Sequence, residues 1–343
     1  GCCSLLASAA LLGHSLAAMP IEPASDDETP GPRIVLVAGR ASHDYGSHEH
    51  YAGSQLLASV LRAAHPKLQV DVVRDGWPTD PSVIDQADAL VIYSDGGQGH
   101  PSLPHLEQLQ RHVEAGKGLV CLHYAVEVPK GEPGDRFLDF LGGYFETHWS
   151  VNPHWEADFQ QLPDHPITRG VPPFRLNDEW YFNMRFRPEM EGITPILTAV
   201  PPEETMRRPD GPHSGNPDVR RSVAAGEPQH VAWAFQRPDG GRSFGFTGGH
   251  FHWNWGRPEQ LRLVANAVLW TSGLEVPAEG APLQPIDIKR LQANQDFEPP
   301  AGFQATEVAR RYRVPPQAAE LNGGQPGARR PGNSTLQAQP PQP

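Results

Sequence analysis

Cysteine is nearly missing: the 343 residues contain three, Cys2, Cys3 and Cys121. Two sit together at the start and one lies in an apolar run, so neither a disulfide framework nor a CxxC zinc site follows. Basic charge is also short. The 28 Lys and Arg are outnumbered by 40 Asp and Glu, giving a net charge of −12 with histidine neutral. That argues against nucleic acid as a partner, which asks for a basic face, and disfavours an anionic membrane surface. The most apolar terminal stretch, residues 4–18, is too short to be read as a membrane span. GxGxxG and P-loop patterns are absent, so no nucleotide site is indicated.

What the chain does have is histidine, 16 in all, placed after apolar runs. RIVLVAGR (33–40) leads into His43, His48, Glu49 and His50. ALVIYSDGG (89–97) leads into Asp95, GLVCLHYA (118–125) delivers His123, and RSFGFTGGH (242–250) delivers His250 and then His252. In open α/β sheets ligands bind outside the carboxyl ends of the strands. Four runs ending in polar groups therefore predict one site on one sheet edge.

The order of elements supports such a sheet. Strands are expected at 33–38, 68–73, 89–93 and 118–122, alternating with helices at 51–64, 104–115 and 135–142. The second half reads as strands at 155–160, 193–200, 230–236 and 243–248, with Pro-rich connections and a closing helix at 257–273. Residues 1–19 resemble a secretory signal without its initiator Met and basic start, so the start reads as truncated or misassigned. The expected location is periplasmic or secreted, or cytoplasmic if that segment is an artefact. Residues 20–32 read as a linker, 33–275 as the folded domain, and 276–343 as a Pro/Gln-rich, mostly disordered tail.

Five motifs carry candidate chemistry. In SHDYGSHEHYAG (42–53), His48 and His50 form an HxH pair, but His43, nearest the strand end, is the preferred metal ligand. In CLHYAVEVPKG (121–131), His123 takes the strand exit, and Cys121, two positions earlier, reads as a buried structural thiol. GGYFETHWSVNPHW (142–155) sets His148 and His154 among aromatics that could stack on a sugar ring. NDEWYFNMRFRP (177–188) offers Glu179 beside Asp178, followed by Tyr181. TGGHFHWNWG (247–256) packs His250, His252, Trp253 and Trp255 behind two glycines. A solvated loop or packed core is the plain alternative for each motif taken alone.

Together, SHDYGSHEH, DGGQGHP, GLVCLHYAVEVPKG, GGYFETHW, DEWYFNMRF and TGGHFHWNWG resemble the ThuA-like family, named for trehalose utilisation, within the class I glutamine amidotransferase-like superfamily. The likeness is greatest to its secreted branch, found beside sugar-degrading genes. It implies an α/β fold, a flavodoxin-like three-layer sandwich with a mainly parallel sheet and long loop insertions. A relative that hydrolyses glutamine would carry a cysteine at the elbow where this chain has His123, which argues against a cysteine-dependent amidohydrolase.

The expectation is a divalent-metal-dependent enzyme that cleaves glycosides or 3-keto glycosides by enolisation and elimination. His43, His123, His148 and His250 are the expected metal ligands, with the ion Zn, Mn, Fe or Ni. His123, Glu179 and His250 are the expected catalytic groups, and Asp95, Trp149, Tyr181, Trp253 and Trp255 the expected substrate-binding ones. The partner would be a small carbohydrate. The alternative is a non-catalytic carbohydrate-binding or accessory subunit of a sugar oxidoreductase.

Overall fold

A computed structural model describes Gly1 and residues 31–315. The signal-like segment, most of the linker and residues 316–343 lie outside the described residues. The strands are β1 (Arg33–Ala38), β2 (Gln69–Val73), β3 (Ala89–Tyr93), β4 (Gly118–Leu122), β5 (Gly143–Tyr144), β6 (Trp155–Phe159), β7 (Phe174–Asp178), β8 (Arg185–Phe186), β9 (Ile193–Ala199), β10 (Gln229–Gln236) and β11 (Arg242–Phe246). The α-helices are α1 (His50–Ala64), α2 (Ser82–Asp85), α3 (Leu106–Glu114), α4 (Glu132–Phe140), α5 (Pro217–Ala224), α6 (Pro258–Thr271), α7 (Ile288–Gln292) and α8 (Ala305–Tyr312).

Seven strands form one sheet in the order β2-β1-β3-β4-β11-β10-β9. The first five run parallel, and β10 is antiparallel to both its neighbours. Strands β1, β3 and β4 are apolar at nearly every position because both faces of the sheet are covered. Side chains alternate between the two cores. Ile34, Leu36, Val91, Tyr93, Val120 and Leu122 pack on the side that holds residues of α1 and α6. Val35, Val37, Leu90, Ile92, Leu119 and Cys121 pack on the side that holds residues of α3 and α4. This is a flavodoxin-like three-layer sandwich. Insertions between β4 and β9 add two small antiparallel pairs, β5-β8 and β6-β7.

The tail expected from residue 276 requires correction over its first part. Val276, Ala281, Ile286, Ile288 and Leu291 are buried in the main core, and α7 and α8 follow the last sheet helix. The Pro content that suggested disorder reflects irregular connections between apolar anchors. Among the described residues no helix is long and apolar enough to cross a membrane.

Candidate metal and substrate site

Four carboxyl ends of parallel strands meet at one place. The loop after β1 supplies His43 and His48, the loop after β3 supplies Asp95, the exit of β4 supplies His123, and the loop after β11 supplies His250. Glu179 arrives from the end of β7, outside the main sheet. His48, His123, Glu179 and His250 bring one ligand atom each to within 4.8 Å of one another.

Backbone contacts fix this meeting. His48 N–H donates to the His250 carbonyl at 3.1 Å, and His252 N–H to the Gly46 carbonyl at 2.9 Å. Ser47 and Phe251 form an antiparallel bridge between the same loops. Asp178, fully buried, accepts from the N–H groups of Gly249 at 2.8 Å and His250 at 3.1 Å, and from Asn254 Nδ2 at 2.9 Å. Gly249 turns there at φ +105°, a conformation that suits glycine. In the Asp178–Glu179 pair, the first carboxylate therefore organises a loop and the second faces the site. His123 itself sits at φ +55°, and His43 and His48 are also left-handed. Non-glycine residues held this way cluster at functional sites.

The protonation pattern follows from the partners. Asp95 Oδ1 can only accept, so the 2.7 Å contact from His48 Nδ1 puts the proton on Nδ1. The Thr247 carbonyl likewise accepts a hydrogen bond from His123 Nδ1–H at 2.8 Å. Both rings then present bare Nε2 lone pairs, and these face each other at 3.0 Å. His250 Nδ1 lies 3.0 Å from His48 Nε2 and 3.2 Å from Glu179 Oε2, which is 3.5 Å from His123 Nε2. Burial pushes His48 below the usual imidazole range and His123 well below it, which keeps both neutral. Burial would raise the Glu179 carboxyl, but the neighbouring His154 and His250 outweigh it and hold the group ionised. Too many acceptors thus converge on too few protons.

A divalent cation fits this arrangement. With metal–ligand bonds of about 2.1 Å, neighbouring ligand atoms stand roughly 3.0–3.4 Å apart in octahedral or tetrahedral geometry. Four of the six separations here run from 3.0 to 3.5 Å, and all six lie within 4.8 Å. Three imidazoles and a carboxylate suit zinc, iron, manganese or nickel. Asp95 and the Thr247 carbonyl orient the rings from behind, as outer partners of metal-bound histidines do.

Other expected site residues fall differently. His43 is exposed and stacks on His48 with ring centroids 3.5 Å apart; it groups with His48 and Asp95 at the rim, outside the four-residue cluster. His148 is exposed and outside both clusters, with its backbone N–H bound to the Pro212 carbonyl, so its selection as a ligand requires correction. His48, ranked behind His43 in the sequence, takes its place. Asp95 buttresses His48. Tyr181 is buried, with its hydroxyl 3.2 Å from His123 Nε2. Trp253 and Trp255 are buried and cannot serve as open sugar platforms; Trp255 packs against Tyr93 in the core. One face of Trp149 is occupied by the Arg185 guanidinium at 3.6 Å. Cys121 is buried, and burial pushes its thiol far above the range of a reactive thiolate.

Glu179 Oε1 turns away from the histidines, accepts from Asn152 Nδ2 at 3.1 Å and lies 3.6 Å from His154. Asn152, His154, Glu179, Thr205, Arg207 and Arg208 line a cleft of about 310 Å³. Thus the cleft reaches the cluster through Glu179. The loop that carries Arg207 and Arg208 had no motif to reveal it in the sequence.

The family model ThuA, described as trehalose utilisation, matches residues 34–271. The chain belongs to the ThuA family. That membership ties the chain to carbohydrate utilisation. Among solved structures, it is similar to a ThuA-like protein from Bacteroides uniformis, at 16% identity and TM-score 0.49, over 73% of this chain and 94% of that one. A ThuA-like protein from Parabacteroides merdae matches at 16% identity and TM-score 0.43, over 72% of this chain and 92% of that one. No match was found among curated proteins.

Proposed function

We propose that this ThuA-family protein is a divalent-metal-dependent enzyme that cleaves glycosides, and 3-keto glycosides in particular, by enolisation and elimination. The observation that carries the reading is the pair of bare Nε2 atoms of His48 and His123, 3.0 Å apart, beside the ionised Glu179 carboxylate. Two unprotonated ring nitrogens this close to each other and to a carboxylate form a ready ligand set for a cation. A divalent ion bound by His48, His123, His250 and Glu179 would act as a Lewis acid that polarises a carbonyl oxygen of the substrate.

The protein's own groups do the rest. Glu179 Oε1 opens on the cleft and is the acceptor for a proton on the carbon next to a ketone. His154, whose pKa the neighbouring Glu179 carboxylate raises, exchanges that proton with solvent. The buried Tyr181 ring packs against the His123 ring with centroids 4.8 Å apart. This is not the two-carboxylate displacement of ordinary glycosidases. The non-catalytic alternative would use the same edge without turnover, and the burial of Trp253 and Trp255 takes those two platforms from both readings.

Metal content by mass spectrometry, on protein purified without a His tag, tests the reading. Near one divalent ion per chain in wild type, lost in His123→Ala, is expected. Wild-type activity on 3-keto glycosides that chelation and His123→Ala leave untouched would overturn it.

A further inference from the structure

A second titratable pair lies outside the histidine cluster and has no part in holding it. Glu127 is buried, and His213 Nε2 contacts both of its carboxylate oxygens, at 2.9 and 3.1 Å. Thr147 Oγ1 donates to the same carboxylate at 3.4 Å. The His213 ring stacks on Phe145 with centroids 5.2 Å apart, and the other neighbour of Phe145 is Tyr181 at 5.3 Å. Tyr181 in turn reaches His123.

The loop carrying His213 is bonded into the cleft wall. Asn152 N–H donates to the His213 carbonyl at 3.0 Å, while Asn152 Nδ2 holds Glu179. Arg208 bridges the Asn152 side chain at 2.8 Å and the His213 carbonyl at 3.1 Å. On the other side of Glu127 is Gly97, at φ +58°. A methyl group built there would stand 3.4 Å from Glu127 Oε1 and 3.5 Å from the Tyr124 hydroxyl. That missing side chain leaves a small gap edged by both groups, and Tyr124 lies 6.2 Å from His48, ring to ring.

We infer that Glu127 and His213 form the leaving-group half of the site: His213 gives a proton to the departing oxygen, and Glu127 positions the ring. The inference rests on the elimination reading above. The proton on the carbon beside the ketone goes to Glu179, and its bonding pair becomes the carbon–carbon double bond. The glycosidic C–O bond breaks with its pair on oxygen, and that oxygen takes the proton of His213. The products are an unsaturated keto sugar and a free alcohol; both side chains regain their starting protonation from water, and no oxidant is consumed. Among the groups facing His213, Glu127 and more distant Glu179 favour the imidazolium, while burial and Arg208 oppose it; the hydrogen bond to Glu127 prevails and raises its pKa. The His213 side chain is 35% exposed, and with Nε2 held by Glu127, Nδ1 is the atom left to meet a ligand.

Leaving-group dependence separates this role from a structural one. Metal-loaded wild type, His213→Gln and Glu127→Gln are assayed on 3-keto glucosides bearing either a methoxy or a 4-nitrophenoxy leaving group. For the methyl glycoside, kcat/KM should fall about 10²-fold or more in His213→Gln, in the range of a general acid. The nitrophenyl glycoside leaves without protonation and should fall less than about tenfold. Glu127→Gln should follow the same pattern more weakly, with metal content unchanged in both variants, and it keeps the test open if His213→Gln does not fold. Equal losses on both substrates, or no loss on the methyl glycoside, overturn the assignment. Turnover of neither substrate by wild type overturns the elimination reading first, and this assignment with it.

Discussion

Two histidine-bearing loops look alike in sequence and end differently in space. The loop after β1 carries His43 and His48; the loop after β5 carries His148 and His154. Each holds a histidine at positive φ, His48 at +49° and His148 at +67°. His48 points into the four-residue cluster, and His148 faces outward. The difference lies in what each backbone meets. The first loop leaves a central parallel strand and pairs with the loop after β11, another parallel strand of the same sheet. The second leaves a two-stranded accessory pair and bonds to Pro212. Histidine density nominates a loop, but the strand that launches it decides whether a ring enters the four-residue cluster; from the second loop only His154 comes near, on the Glu179 side.

The largest expected effect tests that contrast directly. His48→Ala and His123→Ala should each lower metal affinity more than 100-fold, beyond the ~10–100-fold typical of losing an outer partner. His148→Ala should leave affinity unchanged by calorimetric titration. Comparable losses in all three would mean that the loop after β5 closes over the metal in solution. Next in size, Trp255→Ala should cost ~3–5 kcal/mol in denaturant unfolding, as for a buried aromatic, whereas a sugar platform would change binding and spare stability. Asp95→Asn keeps the shape but weakens the acceptor behind His48. A ~10–100-fold fall in metal affinity is expected, with the midpoint of unfolding of the metal-free protein nearly constant. The smallest effect should come from Cys121→Ser. It buries a hydroxyl in an apolar face at a cost of ~1–3 kcal/mol, and kcat should stay near wild type. Loss of turnover in a folded Cys121→Ser protein would revive the cysteine reading.

Much of the sheet could be read from the chain because its central strands are apolar on both faces and short. The runs at 33–38, 89–93 and 118–122 coincide with β1, β3 and β4 residue for residue. His123 was legible for a related reason: a polar residue directly after a buried strand has no core left to enter. His250, four residues after β11 ends at Phe246, was legible through the two glycines that precede it. Three features were not legible. His213 sits in a Pro-rich stretch without periodicity, and its partner Glu127 is 86 residues away. The tryptophans of HFHWNWG looked like platforms because local composition does not tell which side of a turn is covered by helices. Residues 276–315 looked like a tail because their apolar anchors are spaced too irregularly to show a face.

By itself the sequence determined the α/β class, the strands of the parallel core and the edge at which chemistry collects, since hydrophobic period and strand polarity are local properties. The tertiary structure alone decided that His48 stands beside His123, His250 and Glu179, and that Asp178 holds a loop instead of a ligand. Those outcomes depend on strand order and on hydrogen bonds between residues as far apart as His48 and His250, separated by 202 positions. Convergence of lone pairs is a property of three dimensions, and no spacing along the chain encodes it.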